Sequence, residues 1–310
     1  MSNCQPLEQF PFLNGVQIVK REYIYKGMNG QSVERIFTAN DSYIFKPLTN
    51  PKQFGKELWV YEHILTKLPS IYPKILDHSV QTEEQESWIV LEDLGILTHT
   101  FNENAACEVI HLMAGWHRMS TDYLNGAELI GPKPFIEEVV CDLFQNKTDI
   151  LRILSELHVE EASMMNMYTL IKDFTFTIPP VLSHGDLHLG NYAYIGNRVV
   201  VLDWEHAHLN SPFWDLYHVI DMSHPVFPKS MTNEIRETLL TTYLDGSPQL
   251  KARSFRREYY LYSAVFSTWM IALIVSDLEN NKTPWTNEQL RLQLGESVTN
   301  LTQCLTKLAG

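Results

Sequence analysis

Two short polar clusters in this chain have the residue types and spacing for chemistry. In His184-Gly185-Asp186-Leu187-His188-Leu189-Gly190-Asn191 a carboxylate stands five positions before a carboxamide. Twelve residues after that carboxamide comes Leu202-Asp203-Trp204-Glu205, at the end of an expected hairpin. Phosphoryl transfer asks little covalent work of a protein. It needs an acceptor hydroxyl oriented, metal ions held on phosphate oxygens, and spreading charge neutralised. Asp186 suits the first task, since a carboxylate accepts the hydroxyl proton while aligning the oxygen. Asn191 and Asp203 suit the second as hard oxygen ligands for Mg2+, and Glu205 could support a second ion. The hairpin is expected to turn these clusters toward each other.

The same stretch admits a rival reading. His184, Asp186, His188, Asp203, His206 and His208 have the composition of a His/Asp metal cluster such as a hydrolase uses. That reading leaves Asn191, Lys46 and the strand-rich first part of the chain without a role.

The elements that must carry these residues follow from periodicity. Val16–Tyr25, Val33–Thr38 and Tyr43–Lys46 are β-branched and aromatic runs broken by Gly27, Gly30 and Asn40-Asp41, which predicts a strand meander. Pro51–Leu68 has apolar residues at three-and-four spacing and predicts an amphipathic helix. Trp88–Leu91 is a compact apolar strand that ends in Glu92-Asp93-Leu94-Gly95. Beyond it the pattern is helical over Ala105–Met119, about Pro134–Thr175, Met231–Leu244, Arg253–Leu278 and Glu288–Leu308. The exception is Val181–Leu202, a short strand-like run, a polar loop, and two strands joined at Gly196-Asn197.

On these motifs the sequence resembles the aminoglycoside phosphotransferase and choline kinase group, whose fold is related to that of protein kinases. The His184–Asn191 loop is similar to that family's catalytic loop and Leu202–Glu205 to its metal-binding acidic motif. Asp215, in Phe213-Trp214-Asp215-Leu216, is similar to the later aspartate that braces the loop. The resemblance implies an α+β, bilobal protein-kinase-like fold. Residues 1–92 would form a small antiparallel-sheet lobe with one helix, and 93–310 a larger, mainly helical lobe carrying the catalytic loop and hairpin. It implies Asp186 as base, Asn191 and Asp203 as metal ligands, and Lys46 as the strand lysine on the nucleotide phosphates. Glu57, or alternatively Glu62, would fix that lysine. It further implies a phosphate-covering turn over Gly27–Ser32, with Ser32 at the nucleotide, and a purine-holding segment at Glu92–Leu94. The donor would be ATP or GTP with Mg2+. The acceptor pocket would follow Asp215, near His218 and Asp221. His184, His188 and His117 are expected to be structural.

Composition narrows the partners. The 310 residues carry a formal charge of -13, which speaks against a nucleic-acid surface and tilts toward a cationic small molecule. Cys4, Cys107, Cys141 and Cys304 have no CxxC spacing and suit a reducing cytoplasm. Met1–Phe12 lacks the pattern of a secretory signal. Tyr259–Ser276 is 18 residues without a formal charge, at the lower limit for a membrane span, but its Tyr, Ser and Thr content predicts the buried centre of a helical lobe. The expected function is ATP- or GTP-dependent transfer of a γ-phosphoryl group to a hydroxyl of an aminoglycoside, a choline-like amino alcohol or a sugar. No nucleic-acid or membrane partner is expected. The alternative is a kinase-fold scaffold of the spore-coat kind with little or no catalysis.

Overall fold

The structure is a computed structural model and describes residues 17–26, 31–48, 55–80, 87–124, 129, 131–132, 134–196, 198–280 and 283–309. The expected turn at Gly27–Gly30, the helix start at Pro51, Asn197 of the hairpin and Cys4 lie outside these residues. The chain divides into two compact units, residues 1–97 with 194–205, and residues 98–193 with 206–310.

The first unit is built on a five-stranded antiparallel sheet. Its strands are β1 (Lys20–Lys26), β2 (Ser32–Phe37), β3 (Ser42–Pro47), β4 (Ile75–Ser79) and β5 (Trp88–Glu92), in the order β1-β2-β3-β5-β4. The meander is as expected; β4 is an addition. Its five residues, Ile-Leu-Asp-His-Ser, carry only one β-branched side chain, and its place at the sheet edge depends on pairing with β5, which local pattern does not reveal. Ile36, Trp88 and Val90 form the buried centre of one sheet face, with Ile18, Tyr43 and Phe45 packed against them. Side chains alternate along a strand. Phe45 therefore faces that cluster, and Lys46 points to the other side, where α1 (Lys56–His63) buries Lys56, Glu57 and Val60.

The second unit is mainly helical, with α2 (Glu103–His117), α3 (Ile136–Gln145), α4 (Lys147–Glu156) and α5 (Glu161–Ile171) before the loop region. The single helical stretch expected over Pro134–Thr175 is thus three helices. α3 ends at Asn146, and α4 ends before His158, which adopts φ 61°. A left-handed residue cannot continue a right-handed helix. Next along the chain come β6 (Val181–Ser183), the hairpin strands β7 (Tyr192–Ile195) and β8 (Arg198–Val201), of which residues 194–205 belong to the first unit, and β9 (His208–Asn210). β9 pairs antiparallel with β6.

The chain closes with α6 (Pro212–Ile220), α7 (Asn233–Asp245), α8 (Ala252–Asn280) and α9 (Asn287–Ala309). All nine residues of α6 are buried, including Asp215 and His218 three positions apart, and at nine residues it is short beside the helices that periodicity announced. Ser211 caps it with an acceptor for the Phe213 N–H, and Pro212 occupies its first turn. α8 is long and apolar enough to cross a membrane by length and composition. In this unit it is the core helix, with every residue from Tyr259 to Thr268 buried and with α3, α4, α5, α6 and α9 packed on it. Its buried polar groups are satisfied inside the unit: Ser263 donates to Asp221 at 2.7 Å, and Glu258 accepts from Thr177 at 2.7 Å and 3.0 Å.

Candidate active site

In the second unit, the loop from β6 to β7 is held from below by Asp215 of α6. Its Oδ1 accepts from the Ser183 hydroxyl at 2.7 Å and the Gly185 N–H at 3.1 Å. Its Oδ2 accepts from the His184 N–H at 2.7 Å and meets His117 Nε2 at 3.1 Å. Burial alone would raise the Asp215 carboxyl pKa; hydrogen bonding and charge from His117, His184 and Ser183 outweigh it and hold that carboxyl well below the usual range. Asp215 therefore stays an anion at the centre of the loop. The neighbouring Trp214 donates its indole N–H to the Gly185 carbonyl at 2.8 Å. Gly185 adopts φ 91°, and a Cβ there would lie 2.1 Å from the His206 carbonyl oxygen, so the position requires glycine.

This clamp presents Asp186 and Asn191 to each other. The Asn191 amide donates to the Asp186 carbonyl at 2.7 Å and to its Oδ2 at 3.1 Å. The Asp186 N–H in turn donates to His184 Nδ1 at 3.2 Å. His188 Nδ1 accepts from the Gly190 N–H at 2.9 Å, while its Nε2 lies 3.6 Å from Asp186 Oδ2. Burial pushes the His188 pKa down to about 4 against the pull of Asp186, with His224, His218 and His184 adding to the drop. His99, which the sequence did not single out, braces the loop through Nδ1 near the Leu189 and Tyr192 carbonyls, at 3.2 Å and 3.1 Å.

The first unit gathers a second set. Lys46 Nζ bridges Glu57 Oε2 at 2.7 Å and Asp203 Oδ1 at 2.8 Å. Tyr72 donates its hydroxyl to the other Glu57 oxygen at 2.6 Å. Glu57 is only 2% exposed at its side chain, and Glu62, the alternative partner, is exposed on α1. Burial would lower the Lys46 pKa, but the carboxylates of Asp203, Glu57 and Glu205 raise it well above the usual lysine value, so the ammonium is fixed as a cation. Asp203 adopts φ 60°, a left-handed conformation that costs a non-glycine residue about 1–3 kcal/mol and gathers at functional sites. Glu205 acts on Lys56, a buried lysine whose pKa burial lowers to about 8 against that carboxylate's attraction.

Of the other sequence-derived positions, Ser32, Glu92 and Leu94 belong to the first unit, and Asp221 and His218 to the second. Ser32 opens β2, half-buried and opposite Lys26. Glu92 ends β5 and receives the Lys74 N–H on its carboxylate at 3.0 Å. Leu94 is half-buried in the irregular segment that follows. What pins that segment is Asp93, between Arg35 at 2.7 Å, the Ser42 hydroxyl at 2.7 Å and the Gly95 N–H at 2.9 Å. Asp221 is buried: it accepts from Arg236 Nη2 at 2.7 Å, Tyr259 at 2.6 Å and Ser263 at 2.7 Å, and so ties α6 to α7 and α8. His218 is buried too and directs Nδ1 to the Trp214 carbonyl at 2.7 Å.

The rival metal-cluster reading fares poorly on geometry. Among the described residues no three His, Cys, Asp or Glu side chains are grouped to hold a metal ion. Ring nitrogens of three of these histidines are engaged elsewhere: His184 Nδ1 by the Asp186 N–H, His188 Nδ1 by the Gly190 N–H, and His208 by the His206 carbonyl at 2.9 Å and the Asn210 amide at 3.0 Å.

An antiparallel sheet with a buried Lys–Glu pair, and a helical unit presenting an Asp–Asn loop on a buried aspartate, define an α+β fold of the kinase-like phosphotransferase class. Residues 76–258 match the phosphotransferase enzyme family (APH), and the chain belongs to that family. No curated protein matches it at a significant level. Among solved structures it is similar to spectinomycin phosphotransferase APH(9)-Ia in complex with ADP and spectinomycin, at 14% identity and TM-score 0.64 over 98% of this chain and 99% of that one. It is also similar to choline kinase LicA from Streptococcus pneumoniae, at 17% identity and TM-score 0.56 over 94% and 95%. A third is macrolide 2'-phosphotransferase MphH from Brachybacterium faecium, at 15% identity and TM-score 0.57 over 91% and 94%. At these identities the likeness defines the fold.

Proposed function

We propose that the chain is a Mg2+-dependent kinase of small molecules, transferring the γ-phosphoryl group of ATP or GTP to a hydroxyl of an amine-bearing or sugar-like acceptor. The observation that carries the proposal is Lys46, half-buried and held as a cation on Glu57 and Asp203. Such a lysine has its rotamer set before any nucleotide arrives and can meet phosphate oxygens without further ordering.

The donor set fits a magnesium ion. Asp203 offers carboxylate oxygens, and Asn191, whose amide N–H2 is committed to Asp186, keeps its Oδ1 for a cation. By residue type Asn191 and Asp203 are the proposed ligands of the ion, and Glu205 that of a second. When bound, it would neutralise charge on the β- and γ-phosphate oxygens. The chain's own residues do the rest. Asp186 orients the acceptor hydroxyl and takes its proton as the new O–P bond forms and the bond to the departing nucleoside diphosphate breaks. Asp215 holds the loop rigid. Ser32 and the backbone of Glu92–Leu94 contact the nucleotide.

The net charge of -13 supports a cationic acceptor. The described cysteines, Cys107, Cys141 and Cys304, are free thiols, which supports a cytoplasmic setting. Calorimetric titration with Mg-ATP and Mg-GTP tests the proposal. Saturable binding that needs Mg2+ and is lost in Lys46→Met supports it. Absence of nucleotide binding by the folded wild type would instead favour a scaffold role.

A further inference from the structure

The two carboxylate oxygens of Asp186 are not equivalent. Oδ2 accepts from the Asn191 amide at 3.1 Å and lies 3.6 Å from His188 Nε2. The Gly190 N–H points at His188 Nδ1 from 2.9 Å, so that nitrogen presents its lone pair and the ring proton sits on Nε2, the atom facing Asp186.

The ring is also locked in place. It stacks on His224 at 4.6 Å and 17°, and lies nearly parallel to Phe227 at 6.0 Å and 21°. His224 is itself fixed by the Val226 N–H on its Nδ1 at 3.1 Å and by the edge of Trp285 at 5.8 Å. At Gly190 a Cβ would fall 2.4 Å from Phe227 and 2.6 Å from His188, so the stack closes over the loop only with glycine there.

We propose that His188 is a positioning residue that donates its Nε2–H to Asp186 Oδ2, leaving Oδ1 to take the acceptor's proton. The proposal rests on Asp186 being the base. The 3.6 Å separation exceeds a hydrogen bond, and catalytic contacts of this kind shorten when substrate arrives. A neutral donor suits the task. It orients the carboxylate as a cation would, but without the strong fall in basicity that a neighbouring positive charge imposes. His224, as the ring's stacking support, acts through His188.

Two measurements on the full chain test this. In protein labelled with 15N-histidine, with His188 assigned by its loss in His188→Gln, the expected state is the Nε2–H tautomer, and Asp186→Ala shifts its Nε2 resonance. A proton on Nδ1, or a resonance indifferent to Asp186→Ala, overturns the proposal, and this readout needs no turnover. The second measurement is hydrolysis of Mg-ATP or Mg-GTP with water as acceptor. His188→Ala should lower kcat roughly ten- to hundredfold with the nucleotide KM changed less than about twofold, and His188→Gln, which restores an N–H donor, should regain most of the loss. Unfolding midpoints of both variants confirm that the fold is retained. Wild-type turnover in His188→Ala overturns the positioning role and leaves Asp186 as base. Undiminished turnover in Asp186→Asn removes the base assignment, and the proposal with it.

Discussion

Replacing Lys46 by Met strips the charge partner from a carboxylate that is 2% exposed. Two unit charges 2.7 Å apart attract by about 6 kcal/mol at an effective dielectric constant near 20, before desolvation is subtracted. Breaking a buried pair by removing one member costs about 3–5 kcal/mol, because the other charge stays buried and uncompensated. Lys46 is 17% exposed and Glu57 keeps the Tyr72 hydroxyl, so the expected loss is at the lower end, about 3 kcal/mol. Glu57→Gln removes the second charge while keeping an acceptor for Tyr72. The double variant should therefore recover most of what Lys46→Met loses, with a coupling of about 2 kcal/mol. Urea unfolding of the wild type, both single variants and the double variant measures it. Additive losses, or a Lys46→Met variant within about 0.5 kcal/mol of wild type, would refute the charged pair on which the proposed phosphate-binding role of Lys46 depends.

Other outcomes follow from the same geometry. Asp221→Asn leaves Arg236 buried without its anion and should destabilise the helical unit by about 3 kcal/mol in denaturant titration. Gly185→Ala forces a Cβ against the His206 carbonyl at an unfavourable φ; it should cost at least about 2 kcal/mol and abolish turnover before it abolishes folding. His188 and His224 have folded-state pKa values lowered by burial to about 4, below the ordinary 6.5. Between these values the unfolded chain takes up protons that the folded chain refuses. Their contribution is therefore complete above pH 6.5 and is lost as pH falls toward 4. His224→Gln should remove up to about 1.4 kcal/mol per pH unit of that slope, measured by unfolding at pH 5 and pH 7.

The proposed loop residues stand out because their signal is local: Asp186, Asn191 and the Leu202–Glu205 run are distinguished by residue type and spacing alone. Lys46 was readable through the meander, and Glu57 became its partner because α1 buries that residue and leaves Glu62 outside. What escaped depends on distant pairing or on full burial. β4 and β9 are short strands with little pattern of their own, and their identity comes from pairing with β5 and β6. α6 has only nine residues, too few turns for periodicity to mark it out. The breaks at Asn146 and His158 fall at residues that commonly leave helical geometry, yet the apolar pattern runs on past them. In the sequence Asp221 is only a neighbour of the expected acceptor pocket. Its role as a buried anchor appears only once Arg236, Tyr259 and Ser263 are seen around it.

The central claim is that Asp186 takes the proton of an acceptor hydroxyl during phosphoryl transfer. Its most direct test is transfer of labelled γ-phosphate from Mg-ATP and Mg-GTP across a panel of aminoglycosides, choline, ethanolamine, amino alcohols and sugars, for wild type and Asp186→Asn. The account predicts a labelled acceptor with the wild type and essentially none with Asp186→Asn, while both bind nucleotide equally. Equal labelling by the two proteins would contradict it.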